Sequence, residues 1–412
     1  MNTTVIRKKT RLNPWLRGLL LLSTAGSAQA EGFMKSDGLF EALTGTDVNE
    51  TQFMESLGLT IGGWLEGGYT FNPDDPRDRF NGPVTFNDRD NEPLGNEAYL
   101  FFERSVNTEG DRWDFGGRAD FLFGTDARFT QAAGLDDNII GDDTFRFYKF
   151  AIPQLYVEAF APYGNGVTVK LGHFYTIIGN EVVTAPGNFF YSHAYTMQYG
   201  EPFTHTGFLA SYPLTNNISL NGGGVLGWDN FSKDPENLNF LGGVNWSSDD
   251  ERTSLAVAII TGNVSEVEGT PDDPDNNRTM YSVVFNHDIT DRLHYTFQHD
   301  LGIEQNAINN SKAAEWFGIN QYLFFDINET LSTGLRFEWF RDDDGNRVFV
   351  NDLSGSASYF AVTAGLNWKP LKWVTFRPEV RYDWVDSDGF DAFDNNSDDD
   401  QFVVAGDLII QF

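Results

Sequence analysis

The feature that most constrains this chain is a two-residue alternation of apolar and polar side chains, recurring from about Leu59 to Phe412. Between Trp373 and Trp384 it is clearest. There Val374, Phe376, Pro378, Val380, Tyr382 and Trp384 share one face, and Thr375, Arg377, Glu379, Arg381 and Asp383 share the other. Period two marks a strand with unlike faces, and the 3.6-residue period of amphipathic helices hardly appears. A single strand of this kind can turn its apolar face into a soluble core or out to lipid.

The spacing of the breaks separates the two. About sixteen strands are expected, near 59–72, 95–106, 113–125, 151–161, 167–175, 204–213, 218–228, 238–247, 253–261, 279–289, 292–301, 315–327, 330–340, 359–369, 373–383 and 401–412. Most run to roughly ten to twelve residues, long for a globular strand and suited to a tilted transmembrane one. Their connections alternate. Short ones fall at 162–166, 214–217, 248–252, 290–291, 328–329 and 370–372; long ones fall at 73–94, 126–150, 176–203, 262–278, 302–314, 341–358 and 384–400, with a shorter member at 229–237. This predicts an all-β fold, a transmembrane antiparallel up-and-down barrel with short periplasmic turns and long extracellular loops. A sandwich gives no reason for such regular alternation.

Both ends fit export to an outer membrane. Arg7, Lys8, Lys9, Arg11 and Arg17 precede and flank a short apolar run from Gly18 to Leu22, followed by Ala28-Gln29-Ala30. A basic region, a short apolar region and a small-residue site read as a cleaved signal peptide over 1–30. The run is far shorter than the ~20 residues of a spanning helix. Residues 31–58 form a periplasmic preface in which Asn49-Glu50-Thr51-Gln52 resembles a helix cap, Phe53, Met54 and Leu57 an apolar stripe, and Gly58 a stop. At the other end Phe402, Val404, Gly406, Leu408, Ile410 and Phe412 line one face of a closing strand. An alternating strand with an aromatic last residue resembles the signal read by the barrel-assembly machinery.

Charge narrows the partners. With 60 acidic against 28 basic side chains the net charge is −32, which argues against nucleic acid. Cysteine is absent, so disulfides and thiolate metal sites are excluded.

Several segments carry a family likeness. They are Gly63-Trp64-Leu65-Glu66-Gly67-Gly68-Tyr69, Asn96-Glu97-Ala98-Tyr99-Leu100, Phe121 through Ala127, Leu155-Tyr156-Val157-Glu158, and Gly172-His173-Phe174. The most specific runs from Ala185-Pro186 through Asn188-Phe189-Phe190-Tyr191-Ser192 to Pro202-Phe203-Thr204-His205-Thr206-Gly207. Across essentially the whole mature length, the chain resembles the β-barrel porin-2, OmpL-like outer-membrane proteins. The resemblance implies a porin-like barrel; it implies no particular solute and no catalytic residues.

Three constellations could carry function. With apolar faces outward, Arg118, Asp120, Lys170, Arg292, Arg336, Glu338, Arg377, Glu379, Arg381 and Asp383 are expected to point into the lumen. There they either set a transverse field for solutes or pair across strands to stabilise the wall. The loop 176–203 carries Glu181, Tyr191, His193, Tyr195, Tyr199 and Glu201 among other aromatics. A loop that apolar should fold against something: into the lumen as a constriction, or onto the rim or a neighbouring subunit. Acidic loops at Asp342-Asp343-Asp344, Asp272-Asp273-Pro274-Asp275 and between Asp386 and Asp400 offer hard oxygen ligands. Asp386-Ser387-Asp388-Gly389 lacks the pattern of an EF-hand loop, and a solvated acidic surface is the favoured reading.

An enzymatic reading finds little. His287 and His299 could face lipid as in an outer-membrane phospholipase, but no Asp-Gly-x-x-Ser-Asn-like segment occurs. The expectation is a passive, water-filled diffusion channel for small polar solutes or ions, cation-preferring because acidic loops concentrate cations, without cofactor or metal. Its partners would be outer-membrane lipid, lipopolysaccharide and the assembly machinery, and fold analogy suggests a homotrimer. The alternatives are a non-conducting anchor or adhesin scaffold, and a channel selective for a sugar or hydrophobic solute through inward Trp64, Tyr99, Phe101, Tyr156 and Phe160.

Overall fold

A computed structural model describes residues 35–141, 145–233, 238–264, 276–308, 312–349 and 355–412. The expected leader and the acidic run 272–275 lie outside these residues. The strands are β1 (Thr60–Phe71), β2 (Leu94–Arg104), β3 (Asp114–Gly124), β4 (Lys149–Ala161), β5 (Val167–Tyr175), β6 (Thr204–Pro213), β7 (Ile218–Val225) and β8 (Asn239–Ser247). They continue as β9 (Thr253–Asn263), β10 (Asn277–Asp288), β11 (Leu293–Ile308), β12 (Lys312–Asn328), β13 (Leu331–Asp342), β14 (Ala357–Leu371), β15 (Val374–Ser387) and β16 (Asp400–Gln411). Each pairs antiparallel with its sequence neighbours, and β1 pairs with β16 from Trp64 opposite Gln411 to Phe71 opposite Val404, so all sixteen close into one barrel. Closure leaves no edge strand with unpaired backbone groups.

The two faces differ as the alternation requires. Large apolar side chains stay exposed on one face, among them Leu65, Tyr69 and Phe71 on β1, Val157 on β4, Leu171 on β5 and Phe402, Val404 and Leu408 on β16. Their chain neighbours Glu66, Thr70, Gln401, Val403 and Asp407 are buried. An apolar exterior around a polar interior inverts the soluble pattern and matches a barrel solvated by lipid. Aromatic rings stack around the outside where the strands leave that band: Trp339 on Phe360, Phe360 on Trp384 and Tyr382 on Trp384, at centroid separations of 6.0, 5.1 and 5.7 Å. Such girdles suit the interface between hydrocarbon and water.

One expected long connection is absent. Residues 302–308 and 312–314 belong to strands instead: β11 and β12 pair from Leu293 with Phe325 to Glu304 with Ala314, and again at Ile308 with Lys312. There both strand faces become polar (Glu304, Gln305, Asn306), so the alternation fades, and the register shifts between Glu304 and Ile308 before pairing resumes. The preface contributes α1 (Leu39–Thr44) and α2 (Gln52–Leu57), each closed by a left-handed glycine, Gly45 and Gly58. Thr51 occupies the N-cap but its hydroxyl bonds the Val48 carbonyl, and of the expected stripe only Met54 is buried. Asn49 exchanges two hydrogen bonds with the Ile61 backbone (2.8 and 2.9 Å), which holds the preface against the start of β1.

Candidate functional site

Loop 176–203 leaves β5 and returns into β6, and in the closed sheet order β13 and β14 lie eight strands away, on the opposite wall. The loop reaches that wall. Tyr195 N donates to Glu338 Oε2 (2.9 Å) on β13, and Arg336 Nη1 donates to the Ser192 carbonyl (2.7 Å) and to Glu181 Oε1 (2.8 Å). On β15, Glu379 accepts from Tyr191 N and Ser192 N (2.9 and 3.2 Å), and Asp383 accepts from the Tyr195 hydroxyl (2.8 Å). Arg377 Nη1 caps the Ala185 and Asn188 carbonyls at 2.8 and 2.9 Å, and Arg381 Nη1 reaches His193 O at 3.2 Å. One peptide segment thus crosses the interior and touches walls on both sides.

Burial follows from that crossing. Ala194, Tyr195 and Thr196 are fully buried, as are Arg336, Glu338, Arg381 and Asp383 beneath them. Buried arginines are tolerated only when paired and hydrogen-bonded. Arg381 meets Glu338 and Asp383 (2.7 and 2.8 Å), and Arg377 meets Asp407 and Glu66 (2.6 and 3.2 Å). Arg336 Nε lies 2.7 Å from Glu338 Oε1 without the alignment of a hydrogen bond, so that contact is charge pairing. The wall makes room for the loop at glycines: a Cβ on Gly68 would lie 2.2 Å from the Tyr191 hydroxyl, and one on Gly318 2.2 Å from Thr196 Oγ1.

Within the loop the two acids differ. Lost hydration would raise Glu181, but Arg336, His193 and the Ala194 N–H outweigh it and hold the carboxyl well below its usual range. Burial and then the neighbouring Asp300 carboxylate push Glu201 well above the ordinary value. Glu201 accepts from Gln298 on β11, and Trp316 Nε1 on β12 donates to Gly200 O at 3.1 Å. Tyr199 bonds the Pro83 carbonyl, and Gln198 Oε1 accepts from Thr85 N at 2.6 Å, so loop 72–93 packs on top of the crossing segment.

The expected lumenal residues therefore divide. Arg336, Glu338, Arg377, Glu379, Arg381 and Asp383 point inward but are covered by the loop. Asp120 is also buried, accepting from Arg118 Nε and Gln154 Nε2 (both 2.7 Å). Arg118 and Lys170 keep some exposure; Arg118 pairs with Glu103 (3.0 Å), and Lys170 sits over the Tyr156 ring beside Glu158 in the ladder. Arg292 stands in the exposed turn between β10 and β11, outside the strands, because β11 begins one residue later at Leu293. Glu66, Glu97, Asp126, Asp407 and Asp300 went unmarked in the sequence, though Glu66 and Glu97 stand at inward positions of their alternation.

The acidic runs are partly spoken for. Asp342 accepts the backbone N–H groups of Asn346, Arg347 and Val348, while Asp343 pairs with Arg341 and Asp344 with Lys312. Asp398, Asp399 and Asp400 stand close together near the surface.

A sixteen-stranded closed barrel, apolar outside, polar inside and crossed by a loop, is of the porin type. The chain belongs to the family described as "Putative beta-barrel porin-2, OmpL-like", whose profile matches residues 58–412. It is an outer-membrane barrel with a porin- or channel-type role. No curated protein sequence matches it. Solved structures of similar fold include the outer membrane channel DcaP of Acinetobacter baumannii (12% identity, 86% of this chain and 97% of that one, TM-score 0.55). OprB of Pseudomonas putida is similar at 11% identity (88% and 97%, TM-score 0.57). An anion-selective porin from Comamonas acidovorans is similar at 9% identity (86% and 99%, TM-score 0.56).

Proposed function

We propose that the protein is a passive diffusion pore for small polar solutes or ions, narrowed by loop 176–203. The observation that supports this is the crossing segment from Glu181 to Glu201, tied to β13 and β15 by Arg336, Glu338, Glu379 and Asp383. A rigid crossbar leaves solutes only the space beside it, so size exclusion follows from how firmly the bar is held. Beside it, the half-exposed Arg118, Glu103, Glu158 and Lys170 give the passage both signs of charge. Oriented charges in a confined aqueous path select by field as well as size. Acidic loops at the mouth would favour cations.

A second reading, a non-conducting anchor or scaffold, is favoured by the dry packing of the crossing segment, where Ala194, Tyr195 and Thr196 have no exposed surface. Planar-bilayer recording of the purified protein distinguishes them. A pore gives steady, uniform steps, and deleting 186–197 raises their size. A bilayer that stays silent with both proteins refutes the pore; steps of unchanged size after deletion refute the constriction.

The wider setting belongs to the same reading. Residues 1–30 direct export and are removed, the strand ending at Phe412 is read by the assembly machinery, and the apolar exterior meets lipid and lipopolysaccharide. Association as a homotrimer would follow the habit of sixteen-stranded porins.

A further inference from the structure

At the edge of the arginine clamp, three carboxylates gather around a single shared arginine, Arg377. Glu66 on β1 and Glu97 on β2 stand directly opposite each other in the ladder, and Asp126 precedes the short helix α3 (Ala127–Thr130). Their oxygens lie within 4.8 Å of one another, and the three residues are 6, 2 and 3% exposed. Like charges opposite each other in a ladder repel, and burying each carboxylate is costly unless it is compensated. Compensation in the protein is partial. Glu97 Oε2 accepts from Trp64 Nε1 and Ala185 N, and Asp126 Oδ1 from Asn96 Nδ2 and Thr125 Oγ1. Glu66 Oε1 shares Arg377 with Asp407.

Two oxygens are left over. Glu66 Oε2 and Glu97 Oε1 are buried without any hydrogen-bond partner, on residues more than nine-tenths enclosed. Buried carboxylate oxygens without partners, in a cluster this tight, are what a hard cation requires. At calcium–oxygen distances of about 2.3–2.6 Å, ligands on opposite sides of one ion stand about 5 Å apart, so these three reach one ion as they are placed. Magnesium fits less well, because it gives up water reluctantly and this site is closed in by Trp64, Ala185 and Asn96.

We propose that Glu66, Glu97 and Asp126 hold one buried hard divalent cation of the calcium class, beside Ala185 of the crossing loop. The ion joins β1, β2 and the segment before α3. Through Glu97 and the Ala185 N–H (3.1 Å) it also steadies the loop at Ala185, whose carbonyl Arg377 holds.

The test uses the full chain exported to the membrane, purified in detergent and stripped with a chelator, with calcium alone as probe. One saturable site per chain is expected, weakened at least tenfold by E97Q and by D126N, and unchanged by D399N in the exposed cluster. Folding of each variant is scored by its heat-modifiable migration on gels. Because D126N lies in a loop, it carries the comparison if E97Q fails to fold. In the unmutated chain, terbium excited through Trp64 should emit and be displaced by calcium. Absence of saturable binding, wild-type binding in either folded variant, or loss in D399N overturns the proposal; in the first case protons alone neutralise the cluster.

Discussion

Arg336 on β13 donates to the Ser192 carbonyl at 2.7 Å, so one wall of the barrel grips a loop rooted eight strands away. That guanidinium also holds Glu181 and the Ser192 hydroxyl (2.9 Å) and is fully buried. It is the single side chain that most directly couples the loop to the far wall. Replacing it by methionine keeps the bulk but strands Glu181 without a guanidinium and leaves Glu338 with Arg381 alone. Breaking a buried pair from one side costs about 3–5 kcal/mol. Arg336→Met should lower the urea midpoint of the folded barrel and raise single-channel conductance; an unchanged conductance would show that other anchors suffice.

Thr196 and Asn320 supply a cleaner test of where the loop sits. Thr196 Oγ1 donates to Asn320 Oδ1 on β12 at 3.2 Å, and the chain contains no cysteine. Thr196→Cys with Asn320→Cys should close a disulfide during export, since disulfides form in the periplasm. Thiol titration of the denatured protein should find none free without reductant and two with it. Two free thiols in the unreduced protein would mean that the loop stands elsewhere.

How much could be read in advance depended on the range of the physics involved. The strand count and the inward Arg377–Asp383 ladder were legible because period two is local and lipid enforces it on every strand. Where strands leave lipid the pattern loses its cause, so the β11–β12 hairpin looked like a loop and Arg292 like a wall residue. The loop's aromatic content pointed to burial but not to a destination. The contact between Arg336 and Ser192 joins residues 144 positions apart, and only closure of the barrel brings them together. The facing of Glu66 and Glu97 likewise depends on ladder register, which no single strand states.

Asp229 predicts a pH dependence near the root of the loop. It lies between β7 and β8, accepts from Thr204 N and Oγ1 (2.7 and 2.9 Å) and Phe203 N (3.1 Å), and is pushed up to about 6, chiefly by lost hydration. A raised pKa means that the folded chain takes up this proton more readily than the unfolded one. Its contribution to stability is complete below about pH 4, where both forms are protonated. It declines as the pH rises through 6. Asp229→Asn cannot ionise, so the melting temperature of wild type relative to this variant should fall between pH 4 and 7. A flat difference across that window would count against the assignment.

The open part of the lumen gives the last prediction. Glu103 keeps 27% of its side chain exposed and Arg118 21%, and the pair is linked at 3.0 Å. Exposed pairs contribute only about 0–1 kcal/mol to stability, so removing Glu103 should leave the barrel folded while altering its field. Glu103→Gln with Glu158→Gln leaves Lys170 without its facing acid and Arg118 with Asp120 alone. The reversal potential in a salt gradient should then move toward anion preference, and Arg118→Gln with Lys170→Gln should move it toward cations. Both shifts should shrink as salt is raised to 1 M, where the screening length falls to about 3 Å. Equal reversal potentials in all three proteins at low salt would place the conducting path away from β2–β5, and with it the reading of Arg118 and Lys170 as lining residues would fail.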